Sequence, residues 1–173
     1  PLFMDMIVRM VSGLFGLWIM LSLSLPATAA PDGVRVFVLH SYSQEYPWTK
    51  RQHEGFVGAL GAGPAIDLTI ETEYLGTKRR AYTPDYAAEF AHYLRLKYAD
   101  FAPQLIYVSD DNALDFALGH LGQLFPGVPV FFSGVNDYSV RERLVGRGVT
   151  GVFEKKEIAP NLRLLAAMGR ESR

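Results

Sequence analysis

From residue 34 onward the apolar positions keep two rhythms that take turns. Residues 34–39 (VRVFVL) are an apolar run broken only by Arg35, the pattern of a strand buried on both faces. From Thr49 the spacing changes. His53, Phe56, Val57 and Leu60 fall on one helical face, Thr49 with Gln52 fits a capping box, and Gly61 and Gly63 end the segment. Residues 66–74 alternate, with Ile66, Leu68, Ile70 and Tyr74 on one side and Asp67, Thr69, Glu71 and Glu73 on the other. That is a half-exposed strand near a sheet edge. The next helix has Thr83 as its cap, then Pro84 and Asp85, and a stripe of Tyr86, Phe90, Tyr93, Leu94, Tyr98 and Phe101. Residues 105–108 are a third strand. Asp110 or Asp111 caps a helix carrying Leu114, Ala117, Leu118, Leu121 and Leu124, which Pro126 and Gly127 stop. Residues 128–132 are a fourth strand, Ser139 with Glu142 caps a short helix, and residues 149–153 are a fifth strand. A last helix over 157–168 gathers Ile158, Leu162, Leu165 and Met168 on one face.

Strands alternating with helices predict an α/β fold: a doubly wound parallel sheet of about five strands. Right-handed crossovers and an edge position for 66–74 give the strand order 2-1-3-4-5. The last helix is left over. Its apolar stripe needs a partner, so it either packs back on this sheet or begins a further structure.

Three of the strands stop abruptly at polar clusters. The first ends at His40-Ser41-Tyr42-Ser43, the third at Ser109-Asp110-Asp111-Asn112, and the fourth at Ser133-Gly134-Val135-Asn136-Asp137. In an open parallel sheet, ligands bind outside the carboxyl ends of the strands. The clusters therefore converge on one crevice. Tyr42, Tyr46 and Trp48 add aromatic rings with polar tips, a common lining of ligand pockets. Trp48 can equally staple the start of its helix. Asp110 and Asp111 divide helix capping from ligand contact, with Asp110 the ligand-facing one. A metal at these two carboxylates would need further ligands that the sequence does not supply. His40, at a strand end, suits either a local backbone bond or a ligand contact. His92 and His120 belong to helix surfaces or core margins.

Composition removes several chemistries. The chain has 173 residues, 49% apolar and 20% charged, with a net charge of −1. That balance gives no reason to expect nucleic acid as a partner. It has no cysteine, so disulfides, thiolate metal sites and a cysteine nucleophile are excluded. There is no G-x-G-x-x-G, no phosphate-binding G-x-x-x-x-G-K-[ST] and no G-x-S-x-G elbow. Ser133 is therefore a turn or ligand-contacting serine, and no cofactor is expected. Lys78-Arg79-Arg80 and Lys155-Lys156 are solvated loops. The apolar residues 11–25 follow Arg9 and precede Pro26-Ala27-Thr28-Ala29-Ala30. This is the layout of a signal peptide cleaved near Ala29 or Ala30, with an uncleaved signal anchor as the alternative. The remainder is expected to be exported.

The segments HSYSQEYPWT, EYLGTKR, LIYVSDDNALDF, FPGVPVFFSGVND and VTGVFE together resemble a family of extracytoplasmic sensor domains. That family is related to the ABC-transporter substrate-binding proteins of type 1 periplasmic-binding fold. Its members stand at the N-terminus of bacterial membrane sensors, histidine kinases or diguanylate cyclases. The resemblance runs from about Val34 to Leu165. It implies three parts: a signal peptide or anchor over 1–30, a ligand-binding lobe over 31–155, and the start of a truncated second lobe over 156–173. It further implies a polar small-molecule ligand held by His40, Ser41, Tyr42, Trp48, Asp110, Asp111, Asn112, Gly134, Asn136 and Asp137. The implied location is periplasmic, attached to the inner membrane through the N-terminal segment or a downstream helix, with a homodimer through the sensor domain allowed. The implied role is sensing without catalysis. A transporter's substrate-binding component is the alternative, and an exported α/β hydrolase is a third reading.

Overall fold

The computed structural model describes residues 33–63, 67–155 and 157–171. The signal segment, Ile66 and Lys156 lie outside these residues. The first strand, β1, spans Val34–His40, and helix α1 spans Pro47–Gly61. They are followed by β2, Leu68–Tyr74, and α2, Pro84–Lys97. Strand β3 is Leu105–Ser109. Helix α3 starts as Asp111–Phe116 and runs on through a π-helical stretch, Ala117–Leu121, into one turn, Gly122–Leu124. Strand β4 is Val130–Val135, and α4 is Arg141–Leu144 after a 3₁₀ turn, Tyr138–Val140. Strand β5 is Val149–Phe153, and α5 is Ile158–Glu171.

The five strands form one sheet in the order β2-β1-β3-β4-β5, and every pairing is parallel. The expected class and strand order are borne out. Pairing places Val36 beside Ile70 on one side and Leu105 on the other, so even positions of β1 share a face. Val36, Val38 and Tyr107 pack there with Phe56 and Leu60 of α1. Phe37, Leu39, Ile106, Val108 and Phe132 point the other way, into the main core with Leu94, Leu114, Phe116 and Leu121. Each such side chain, fully buried, contributes about 1.5–3 kcal/mol.

Several local expectations are corrected. Helix α1 begins at Pro47, not at Thr49: Tyr46 is its extended first boundary residue and makes no side-chain cap. Proline suits this place because its fixed φ and missing N–H cost nothing in the first turn. Thr49 is instead fully buried, and its Oγ1 has no hydrogen-bond partner among the described residues. Strand β4 starts two residues later than 128 and runs through Val135. Gly127, at φ 75°, turns the chain, and the ladder to β3 opens at Ile106 and Val130. The short helix is capped by Asp137, which accepts the Ser139 N–H at 2.9 Å, rather than by Ser139. Glu73, on the polar side of β2, is buried beneath α2. One of its carboxylate oxygens accepts from Lys97 (2.7 Å), Tyr98 (2.8 Å) and Tyr93 (3.1 Å). Thr83 caps α2 as expected, accepting the Tyr86 N–H at 3.2 Å. On α5, Ile158, Leu162, Leu165 and Met168 are 60–64% exposed, so its apolar face meets solvent. No helix among the described residues is long and apolar enough to cross a membrane.

Candidate functional site

Because the strands are parallel, their last residues share one edge of the sheet, and hydrogen bonds lace them together there. Ser41, just past β1, donates its hydroxyl to the Ser109 carbonyl at 2.9 Å and accepts the Ala113 N–H at 2.8 Å. The Thr77 hydroxyl, beyond β2, donates to the Ser41 carbonyl at 2.8 Å and accepts from Asn112 Nδ2 at 3.0 Å. Asp111 Oδ1 takes the N–H groups of Asn136 (2.8 Å) and Asp137 (2.9 Å). The ends of β1, β2, β3 and β4 thus hold one another in place.

Beneath this edge, on the α1 face, lies a polar layer. His40 is fully buried. Its Nδ1 meets Ser109 Oγ at 2.6 Å and its Nε2 meets His53 Nδ1 at 3.2 Å. Burial, and after it the neighbouring His53, push its pKa from 6.5 down to about 3, so the ring is neutral. Burial lowers His53 as well. The Ser133 hydroxyl bonds Tyr107 at 2.6 Å and Gln52 at 3.1 Å. Gln52 and His53 come from the second turn of α1, so this layer sets where the first turn, with Trp48, must lie.

The rim above is aromatic and charged. Asp110 has φ 71° and ψ 170°, and it is the one non-glycine with positive φ among the described residues. A side chain is rarely tolerated there and the conformation costs on the order of 1–3 kcal/mol. Burial raises the Asp110 pKa, against the opposing pull of the Tyr42 hydroxyl, the Asp111 N–H and the Lys78 charge. Burial, followed by the hydrogen bond to Asp110, raises that of Tyr42. The Tyr42 ring stands edge-on to Tyr46 at 5.3 Å and to Trp48 at 6.0 Å. Trp48 rests on Gly134, where a Cβ would lie 2.5 Å from its ring; glycine is required there for contact as well as for its φ of 67°.

All ten residues expected at the site fall on this edge, in two tiers. His40 and Ser41 are fully buried and bonded within the protein, and they support the edge from below. Tyr42, Trp48, Asp111, Asn112 and Asn136 are partly exposed and Asp137 is exposed. Asp110 is 7% exposed. Cavities of about 210 Å³, between Asp111, Asn112, Asp137 and Arg143, and about 340 Å³, between Gln44, His53 and Tyr74, open nearby. A larger cavity of about 540 Å³ lies at the opposite end of the sheet, lined by Ile106, Leu118, Phe125, Val128 and Val149. Arg147 is its one charged lining residue, whereas several polar side chains meet at the carboxyl edge, so that edge is the better candidate. Among the described residues, no three His, Asp or Glu side chains are grouped to hold a metal ion.

Several members of the site are not evident from sequence. Lys78, expected in a solvated loop, stands 4.3 Å above the Tyr42 ring centroid. Thr77, Gln52 and His53 carry no local signal either. They arrive because β2 pairs with β1 and because α1 crosses over β1 and β3.

No family model and no curated protein matches the chain. Among solved structures, a similar chain is the ABC domain in complex with L-Trp from Streptococcus pneumonia, at 15% identity and a TM-score of 0.47. The similarity covers 70% of this chain and 38% of that one. At that distance the two need share neither ligand nor role.

Proposed function

We propose that residues 31–155 form the ligand-binding first lobe of an extracytoplasmic sensor belonging to a membrane signalling protein. The observation that carries this reading is the laced edge. Four strand ends are bonded to one another, and they gather Tyr42, Trp48, Asp110, Asn136 and their neighbours along one polar edge. Such pre-organisation lowers the ordering cost of binding a polar small molecule. One sheet makes one wall. The opposite wall belongs to a second lobe reached through α5, and ligand favours the closed arrangement of the two, which is passed to the membrane.

Binding without turnover fits the hydroxyls of the site better than hydrolysis does. The Ser41 hydroxyl is fixed between Ser109 and Ala113, and that of Ser133 between Tyr107 and Gln52. Both act as struts. The test is thermal unfolding of the chain against a panel of polar small molecules. Ligands that raise Tm should lose about tenfold or more in affinity in Trp48→Ala and Asp110→Asn, with the unliganded Tm little changed. Unchanged affinity in both variants would sink the crevice assignment. Export is tested separately: alkaline phosphatase joined after residue 155 should be active in cells, since that reporter works only outside the cytoplasm.

A further inference from the structure

We propose that the rim is built for a ligand bearing an organic ammonium group, and that Lys78 occupies that group's place in the unliganded lobe. This rests on the binding reading above and names its ligand class.

The Lys78 ammonium lies 4.3 Å from the Tyr42 ring centroid and 5.4 Å from that of Tyr46. Both fall inside the range where a ring face attracts a cation. Tyr42 is held for this by edge contacts to Tyr46 and Trp48. Four acidic groups stand along the same edge, with Arg143 beside Asp111 and Asp137 as a neighbouring cation. Asp110 and Asp111 follow β3, Asp137 follows β4, and Glu154 Oε2 lies 3.8 Å from the Cβ position above Gly134, beside Trp48. Acidic groups beside aromatic ring faces raise the local concentration of a cation.

Lys78 is exposed and its stem is flexible, so it can withdraw into water at little cost. Its primary ammonium is strongly hydrated. A methylated ammonium is less so and loses less on entering an aromatic pocket. Exchange of the chain's own cation for the ligand's is therefore favourable.

The chain contains two tryptophans, Trp18 and Trp48, so Trp18→Phe leaves Trp48 as the sole reporter. In that background, choline chloride is titrated at constant ionic strength while Trp48 emission is followed. A saturable change is expected. Lys78→Met should tighten choline binding by about threefold or more, and Asp110→Asn should weaken it by about tenfold. Sodium acetate should give no saturable change. Weaker choline binding in Lys78→Met overturns the proposal, as does saturation by acetate that Lys78→Met abolishes; Lys78 would then be an anion receptor and the crevice reading would stand. Silence of Trp48 towards choline in every variant also overturns it. Silence towards the whole panel of polar molecules would remove the crevice reading with it.

Discussion

On the face covered by α2, α3 and α4, the sheet contributes Phe37, Leu39, Ile106, Val108, Val130 and Phe132. On the face covered by α1, the same strands contribute Val36, Val38 and Tyr107 and then turn polar at His40, Ser109 and Ser133. The first face is apolar almost to the carboxyl edge, with Glu73 and its three donors as the exception. The second exchanges burial for hydrogen bonds as it nears the carboxyl edge. A buried large apolar side chain contributes about 1.5–3 kcal/mol, whereas a neutral hydrogen bond contributes about 0.5–1.5 kcal/mol net. The first face therefore carries most of the stability, and the second fixes the position of α1 and so of Trp48. Stability and site geometry are separated onto opposite sides of one sheet.

The largest expected effect tests the apolar face. Phe116 is fully buried and meets Phe90 edge-on at 5.5 Å. Phe116→Ala should cost about 3–5 kcal/mol, read from the denaturant midpoint. A loss comparable to that of a surface substitution would mean this face is not the main core.

The next effect belongs to the α1 face and depends on pH. Unfolded His40 takes up a proton below about pH 6.5, whereas the folded ring stays neutral until about 3. Between these values the unfolded state binds more protons, so stability falls as pH falls. The slope approaches about 1.4 kcal/mol per pH unit. His53, also lowered by burial, acts in the same direction. Denaturant unfolding at pH 7 and pH 4.5 should show a smaller difference in His40→Gln than in the wild type. Equal differences would show that His40 is not held neutral.

Asp110 marks where the two demands conflict. Asp110→Gly and Asp110→Ala both remove the carboxylate, but only glycine accepts φ 71° without strain. The glycine variant should be more stable by about 1–2 kcal/mol. Equal stability would mean that the backbone relaxes there. The smallest effect is expected at Ser133, whose hydroxyl joins Tyr107 and Gln52. Ser133→Ala should lose about 0.5–1.5 kcal/mol, while ligand affinity should fall further as α1 loosens. A change in stability alone would limit Ser133 to packing.

Much of this architecture is legible along the chain. The alternation in β2 announces an edge strand, Thr83-Pro84-Asp85 announces the start of α2, and the abrupt ends of three apolar runs announce the polar carboxyl edge. Such signals are local, because a side chain's face follows from its spacing within one element. The misread positions are those where a local signal has two uses. Thr49 has a cap's identity but sits one turn too far in, behind Pro47. Ser133, Gly134 and Val135 look like a loop and continue β4, because pairing to β3 and β5 supplies their backbone partners.

By itself, the sequence determined the order and type of the elements, the parallel arrangement, and the edge of the sheet at which polar groups gather. Periods of two and of 3.6 residues leave few ways to bury the apolar positions. Only the tertiary structure decided what those polar groups do. His40 and Ser109 are 69 positions apart, Ser41 and Ala113 are 72 apart, and Gln52 and Ser133 are 81 apart. No local pattern encodes such pairs. They form because strand register and the crossing of α1 bring them within bonding distance, and the cost of burying a polar group without a partner then selects them.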